Sequence, residues 1–354
     1  MTQSEVPPAE STEDLSTMRG VLRFFQEALT TFQASSSKFR VIATARPLRS
    51  FSAFSRDDYL PPHPIAPTEP PNTLVILDSS FNPPTVAHQL LATSASWDVD
   101  DKTGRRPRIL LVLSVNNADK APKPASFDQR LGMMWSFARD LQLNLTIGKR
   151  GGELGLGGIS VDIALSTLPY FHEKSQAISE NEFYRGGAPS GGAEWYGRLR
   201  PRPKDPADQD QGPPPTRQVM LVGYDTIIRV FNPKYYRNDE GSGMQKALGP
   251  LFDRATLRVT LRPDDEWGSM SEQKQYIKSL FQPRKAKELG IDPSWESKIE
   301  LVEYSKGWKS HYNAVSSTYA RKAAKEGDEA TLKKMLTSRV SEWVIKERLY
   351  QEEE

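Results

Sequence analysis

The chain has no cysteine. Disulfides, thiol nucleophiles and zinc–thiolate sites are therefore excluded, although the absence does not fix a compartment. Histidine is scarce too, at four in 354 residues, so one that falls inside a motif stands out. Neither sign of charge dominates. The 47 Lys and Arg against 45 Asp and Glu leave a formal net charge of +2, too small for a nucleic-acid footprint. No apolar run approaches the roughly 20 residues that cross a bilayer. The first residues show no basic stretch followed by an apolar one, which speaks against a secretory signal. Arg and Ser are frequent between Met18 and Arg56, as in a mitochondrial transit peptide, but Glu5, Glu10, Glu13 and Asp14 oppose that reading. The expectation is a cytoplasmic or nuclear protein, with mitochondria less favoured, that engages neither nucleic acid nor a membrane. A homo-oligomer is left open.

Such a length allows one large α/β domain or two small ones. Residues 1–72 read as an N-terminal appendage. It has a polar start, a helix over about 12–33, a short strand over 38–44 and a proline-rich connector over 61–71. From 73 to 354, apolar runs of strand length alternate with helical periodicity. Strands are expected at 73–77, 108–115, 143–147, 159–161, 219–222, 256–261 and 299–302. Helices are expected at 85–96, 127–141, 164–179, 225–231, 317–325, 329–336 and 340–349. The alternation predicts a Rossmann-like α/β fold, a parallel sheet with helices on both faces and a helical C-terminal part. Residues 186–216, rich in Gly, Pro and charge, read as a flexible insertion within this domain. Residues 148–158 are glycine-rich, but no Gly-Lys-Ser/Thr ending follows, so a plain loop is preferred to a phosphate loop.

The most informative stretch runs from Leu74 to His88. An apolar strand is followed by a tight, proline-containing turn and a helix that starts near Thr85. Such a unit aims free backbone N–H groups, and the positive end of the helix dipole, at whatever lies above the strand end; this favours a phosphate. Thr85 and His88 are three apart and share a helix face, so a hydroxyl and an imidazole meet the same anion.

Ser80-Phe81-Asn82-Pro83-Pro84-Thr85, with His88 three residues on, resembles the signature of the nucleotidyltransferase superfamily that includes the nicotinamide mononucleotide adenylyltransferases. Ser79 stands where that family usually has Gly, and Ala87 where many bacterial relatives have Gly. Two further matches follow in family order. Gly223-Tyr224-Asp225 closes an apolar strand, as the family's Gly-x-Asp does. Val315-Ser316-Ser317-Thr318-Tyr319-Ala320-Arg321 is similar to Ile-Ser-Ser-Thr-x-x-Arg. The stretch from Val340 to Tyr350 resembles the family's closing helix, which ends in Leu-Tyr. The likeness covers about 72–350, with insertions, and points to the divergent branch found in fungi.

The resemblance implies adenylyl transfer from ATP to nicotinamide mononucleotide, giving NAD and pyrophosphate. Alternatives are another phosphorylated acceptor, weak ATP hydrolysis, or an ATP-binding regulatory protein with little turnover. No protein nucleophile is required, so positioning and charge stabilisation carry the catalysis. The implied catalytic residues are His88, Arg321 and Lys120, with Lys123 and Arg130 as alternatives to Lys120. ATP is expected on Ser80, Phe81, Thr85, His88, Gly223, Asp225, Ser316, Ser317, Thr318 and Arg321. The acceptor is expected on Asn82, Asp162, Tyr236 and Arg262. Mg²⁺ is expected to arrive with ATP and to need no protein ligand. Relatives place a stacking Trp shortly after a Val-Asp pair. Here Val161-Asp162 is followed by Ile163, which leaves Tyr236 as a single ring wall.

Overall fold

Apolar runs with no polar alternation must be buried on both faces, and such strands assemble in parallel. The computed structural model describes residues 18–46, 62–96, 107–115, 124–147, 159–185, 216–236, 243–262, 267–303 and 315–351. In chain order the first half gives helix α1 (Met18–Gln33), strand β1 (Phe39–Ala45), β2 (Thr73–Asp78), α2 (Val86–Ser96), β3 (Arg108–Ser114), α3 (Phe127–Ile147), β4 (Val161–Ser166) and α4 (Phe171–Glu180). The second half gives β5 (Arg217–Gly223), α5 (Tyr224–Val230), α6 (Gly243–Arg254), β6 (Ala255–Thr260), α7 (Met270–Leu280), α8 (Pro283–Leu289), β7 (Ile299–Val302), α9 (Ser317–Lys325), α10 (Glu329–Met335) and α11 (Ser338–Lys346).

The seven strands form one sheet in the order β1-β4-β3-β2-β5-β6-β7. Every pairing is parallel except that of β1 with β4. From β2 the chain moves outward through β3 to β4, then returns to build β5, β6 and β7 on the other side. Strand order therefore reverses between β2 and β5, and the ends of these two strands flank the crevice where ligands of open α/β sheets bind. This is the Rossmann-like arrangement expected from the alternation of elements.

Side chains alternate across the sheet and give two cores. Val75, Leu77, Ile109, Leu111, Ile163, Val219 and Leu221 pack with α1, α3 and the C-terminal helices. Leu74, Ile76, Leu110, Val112, Met220, Leu257 and Val259 pack with α5, α6 and α7. The segment read as an N-terminal appendage supplies α1 and β1 to this body, with Phe25 and Phe32 fully buried. The C-terminal helices are fixed through α3. A Cβ at Gly132 would lie 2.3 Å from the Trp343 indole, so α11 lies flush on α3. Asp140 accepts both the Arg339 backbone N–H and its guanidinium, each at 2.9 Å.

Several expectations are corrected. Residues 143–147 are the end of α3, not a strand, because Leu141 and Leu145 continue its buried stripe and no Gly or Pro lies between them. β4 runs to Ser166 and the helix begins only at Phe171, past Pro169. All six β4 residues are buried, and a run without alternation does not distinguish strand from helix. Three helices, α6, α7 and α8, were not expected. One carried a readable signal, since Ser269 and Glu272 form a capping box at the start of α7. The segments 148–158 and 186–215, and the start of the first helix before Met18, lie outside the described residues.

Near the N-terminal end of the sheet, Asp162 is fully buried and saturated. It accepts from Arg108 Nη2 at 2.7 Å, Thr44 Oγ1 at 2.7 Å and Tyr184 Oη at 3.0 Å. Burial would lower the Arg108 pKa, but Asp162 beside it holds it above its usual value. Arg108→Met leaves that carboxylate buried without its counter-charge. We expect a stability loss of about 3–5 kcal/mol by urea unfolding; a loss below about 1 kcal/mol would show that the pair does not hold β3 to β4.

Candidate active site

The turn after β2 is held from below and behind. Ser79 donates its N–H to Val112 O at 3.3 Å. Phe81 has φ +44, unusual for a residue with a side chain, and its ring is wholly buried 5.5 Å from His88 and 6.4 Å from Phe137. Phe81 is thus an anchor that sets the turn, not a ring exposed to nucleotide. Ser80 beside it is exposed.

His88 lies in the first turn of α2. Its Nδ1 accepts from the Thr85 backbone N–H at 3.0 Å, with Thr85 Oγ1 2.9 Å away. Because Nδ1 is the acceptor, the neutral ring carries its proton on Nε2, which is 3.0 Å from Ser79 Oγ. Burial lowers the His88 pKa to about 4. At neutral pH the residue is an uncharged donor with a fixed tautomer. Thr85, itself wholly buried, is the residue that fixes it.

The third motif docks on this turn. Ser317 Oγ donates to Pro83 O at 2.8 Å, and Arg321 Nη1 donates to Asn82 O at 2.7 Å. These contacts join residues 234 and 239 positions apart. Arg321 Nη2 reaches Thr318 Oγ1 at 3.2 Å, and Ser316 Oγ caps α9 by accepting from the Tyr319 N–H. The chain returns once more, as Tyr350 Oη donates to Asn82 Oδ1 at 2.7 Å. Asn82 was expected to meet the acceptor; in the structure its Oδ1 accepts from Tyr350. Arg130, on α3, donates to Ala125 O at 2.9 Å. Burial lowers its pKa, and so, to a smaller extent, does the nearby Arg321 charge, while Tyr350 raises it. Two guanidinium groups close enough to repel favour an anion between them. Lys120 and Lys123 lie outside the described residues.

Across the crevice, β5 ends at Gly223, where a Cβ would lie 2.6 Å from Asp225 Oδ1. Glycine is what leaves room for that carboxylate. Asp225 pairs with Arg262 at 3.1 Å. The Arg262 backbone is bracketed by Gln273, which accepts its N–H at 2.9 Å and donates to its carbonyl at 2.7 Å. A residue expected at the ribose and one expected at the acceptor therefore form a single cluster.

Tyr236 is the one expected ring wall, and the structure gives it companions. Its hydroxyl donates to Val230 O at 2.7 Å, and burial raises its pKa. Its ring lies 5.7 Å from His172, which stacks at 8° and 5.6 Å on Tyr170. Tyr170 is also 6.1 Å from Tyr235. These rings come from the segments that follow β4 and α5, on the side of the sheet where the strands end. Asp162 and Ile163 do not join them. Both lie near the start of β4, about 10–13 Å from its C-terminal end, and Ile163 is wholly buried in the core. Tyr170, four residues past the end of β4, is the ring that the structure adds to this cluster. The cluster Tyr170-Phe171-His172 after Pro169 was the sequence signal, obscured by extending a helix through it.

No family model matches the chain. It is 30% identical over 267 residues to the Schizosaccharomyces pombe protein named "Putative nicotinamide mononucleotide adenylyltransferase", covering 75% of this chain and 82% of that one. Two solved structures of Plasmodium falciparum nicotinic acid mononucleotide adenylyltransferase are also similar. The NaAD complex is 18% identical with TM-score 0.37, and the APC complex 15% identical with TM-score 0.38. Each match covers 79% of this chain and 97% of the other. The chain belongs to the nicotinamide mononucleotide adenylyltransferase family of nucleotidyltransferases. It is accordingly an enzyme of nucleotidyl transfer.

Two outcomes follow from this geometry. Ile163→Trp overpacks the core, so we expect a loss of about 1–3 kcal/mol in denaturant unfolding with the ratio of acceptor to ATP affinity unchanged; tighter acceptor binding would return residue 163 to the site. His88 stays neutral in the folded chain down to about pH 4, while the unfolded chain takes up its proton near 6.5. The unfolded state then binds more protons across that window, so stability falls as pH drops from 6.5 towards 4, by about 3 kcal/mol for this group. Unfolding titrations of His88→Gln should show a shallower slope there, and equal slopes would mean that the imidazole is not held neutral.

Proposed function

We propose that this chain joins the adenylyl group of ATP to nicotinamide mononucleotide, releasing pyrophosphate and forming NAD. What carries the reading is the docking of the α9 motif on the turn that holds His88, which concentrates N–H, hydroxyl and guanidinium donors at one strand end. The relative's name supports the acceptor.

In this mechanism a phosphate oxygen of the acceptor attacks the α-phosphorus in line. The new P–O bond forms as the bond to the bridging oxygen of pyrophosphate breaks, and that oxygen leaves with the electron pair. The His88 Nε2–H, with Nδ1 fixed by Thr85, donates to the phosphate oxygens as negative charge moves onto the leaving group. Arg321 uses two of its five N–H donors on Asn82 and Thr318, and the rest face the phosphates. Ser317, held on Pro83 O, sets the N-terminal end of α9 beside them. Asp225 meets the ribose, with Arg262 fixing its carboxylate. Tyr170 and Tyr236 offer ring faces to the pyridinium, a contact worth about 0.5–2 kcal/mol.

Mg²⁺ enters with ATP. The acidic residues at the ends of β2 and in the first turn of α5, Asp78 and Asp225, are each paired with a cation. With these described residues so paired, phosphate oxygens and water are the natural donors for this ion. When bound it offsets charge on the triphosphate.

With ATP, Mg²⁺ and nicotinamide mononucleotide, chromatography should show NAD and pyrophosphate in equal amounts. His88→Ala should lower turnover by roughly 10²–10³-fold, the usual effect of losing one transition-state donor. Arg321→Lys should weaken ATP binding and spare AMP, since an ammonium cannot replace the planar fork. Absence of NAD with the wild-type protein, or unchanged turnover in His88→Ala, would sink this reading.

A further inference from the structure

A charge pair lies next to the aromatic walls. Asp78 is the last residue of β2, and strand alternation puts its side chain on the face of Leu74 and Ile76, the same face as Phe171 and Tyr236. His88 serves the opposite face, where Ser79 meets it. The Asp78 carboxylate forms an ion pair with Lys174 Nζ. Lys174 is on α4, four residues after Tyr170, and its ammonium also lies 5.6 Å from the Phe171 ring centroid. Both partners are nearly sealed from water, with side-chain exposures of 8% for Asp78 and 5% for Lys174.

A buried ion pair is weak evidence for stability, because an apolar pair of like volume usually serves as well. Its position suggests another role. It lies where β2 ends, at the point of strand-order reversal, and one helical turn from a ring wall. In such a low-dielectric place the field of an unbalanced charge reaches neighbouring ligands with little screening.

We propose that Asp78 and Lys174 together are the specificity-determining pair of the acceptor site, keeping the floor beneath its aromatic walls electrically neutral. This rests on the adenylyltransferase reading above. The two mononucleotide acceptors named for the relatives, nicotinamide and nicotinate, differ by one negative charge on the ring substituent. With Asp78 cancelling Lys174, the floor does not draw in a carboxylate, and the uncharged carboxamide is accepted without competition from the ammonium. Unbalancing the pair tilts the preference, and the direction depends on which partner is removed.

The measurement is the ratio of kcat/KM for nicotinate mononucleotide to that for nicotinamide mononucleotide, taken on each full-length variant. Asp78→Asn leaves an uncompensated ammonium and should raise the ratio by about 3–30-fold. Lys174→Met leaves an uncompensated carboxylate and should lower it by a similar factor. The double variant, and Lys174→Arg, should stay within about twofold of wild type. A merely structural pair would lower activity on both acceptors alike and leave the ratio still. Ratios that do not move, or that move the same way in both single variants, overturn the proposal. Each single variant tests its own direction, so one that does not fold leaves the other decisive. Should the wild-type protein form no dinucleotide from either acceptor, the adenylyl-transfer reading fails instead. Calorimetric titration with the two mononucleotides then reads the same charge preference from their dissociation constants.

Discussion

Everything at this site depends on two backbone carbonyls. The turn after β2 must present N–H groups to a ligand, so its carbonyls at Asn82 and Pro83 point the other way and need donors of their own. Arg321 and Ser317 supply them. The same two side chains thereby bring a helix start, a guanidinium and a hydroxyl next to the imidazole of His88. The body of the protein serves this contact: α11 is pressed on α3 at Gly132, and Asp140 pins its start, so α9 is carried to the right height above the sheet.

Parallel strands and buried imidazole are linked through position. Reversal of strand order between β2 and β5 opens a crevice at their carboxyl ends, and His88 stands on one wall of it. Desolvation by the surrounding protein holds the ring uncharged, and the Thr85 amide decides which nitrogen bears the proton. A neutral donor needs no proton uptake before reaction, and it does not compete with Arg321 as a charge. The opposite wall is built by another rule. Asp225 and Arg262 hold one another, which leaves a carboxylate directed and charge-balanced at the end of β5.

Much of this was legible in the sequence where residue type and spacing act locally. The strand-turn-helix unit from Leu74 to His88 and the helix start near Ser317 follow from residue types within a few positions, and both were read from the chain. So were the edges of β2, β3 and β7, within a residue or two. What escaped depends on distant partners. Asp162 looked like a ligand residue because it follows Val161 in a familiar pair, but Arg108, Thr44 and Tyr184 claim its oxygens from three separate segments. The bond that Asn82 Oδ1 accepts from Tyr350, 268 positions away, was equally beyond any local reading. Tyr170 was hidden because a fully buried strand has no periodicity to mark its end. The Asp78–Lys174 pair is invisible to any window along the chain, since its partners are 96 positions apart.

The reach of Tyr350 back to Asn82 has a consequence for how the protein comes into being. Synthesis proceeds from the N-terminus, and domains assemble as their segments emerge. The strands β1 to β7 are complete by Val302, while every side chain that clasps the phosphate turn from the C-terminal part lies beyond it. The turn acquires Arg321 and Ser317 only later, and Tyr350 last of all. A chain that stops at Val302 therefore has every strand of the sheet but none of the side chains that clasp the turn.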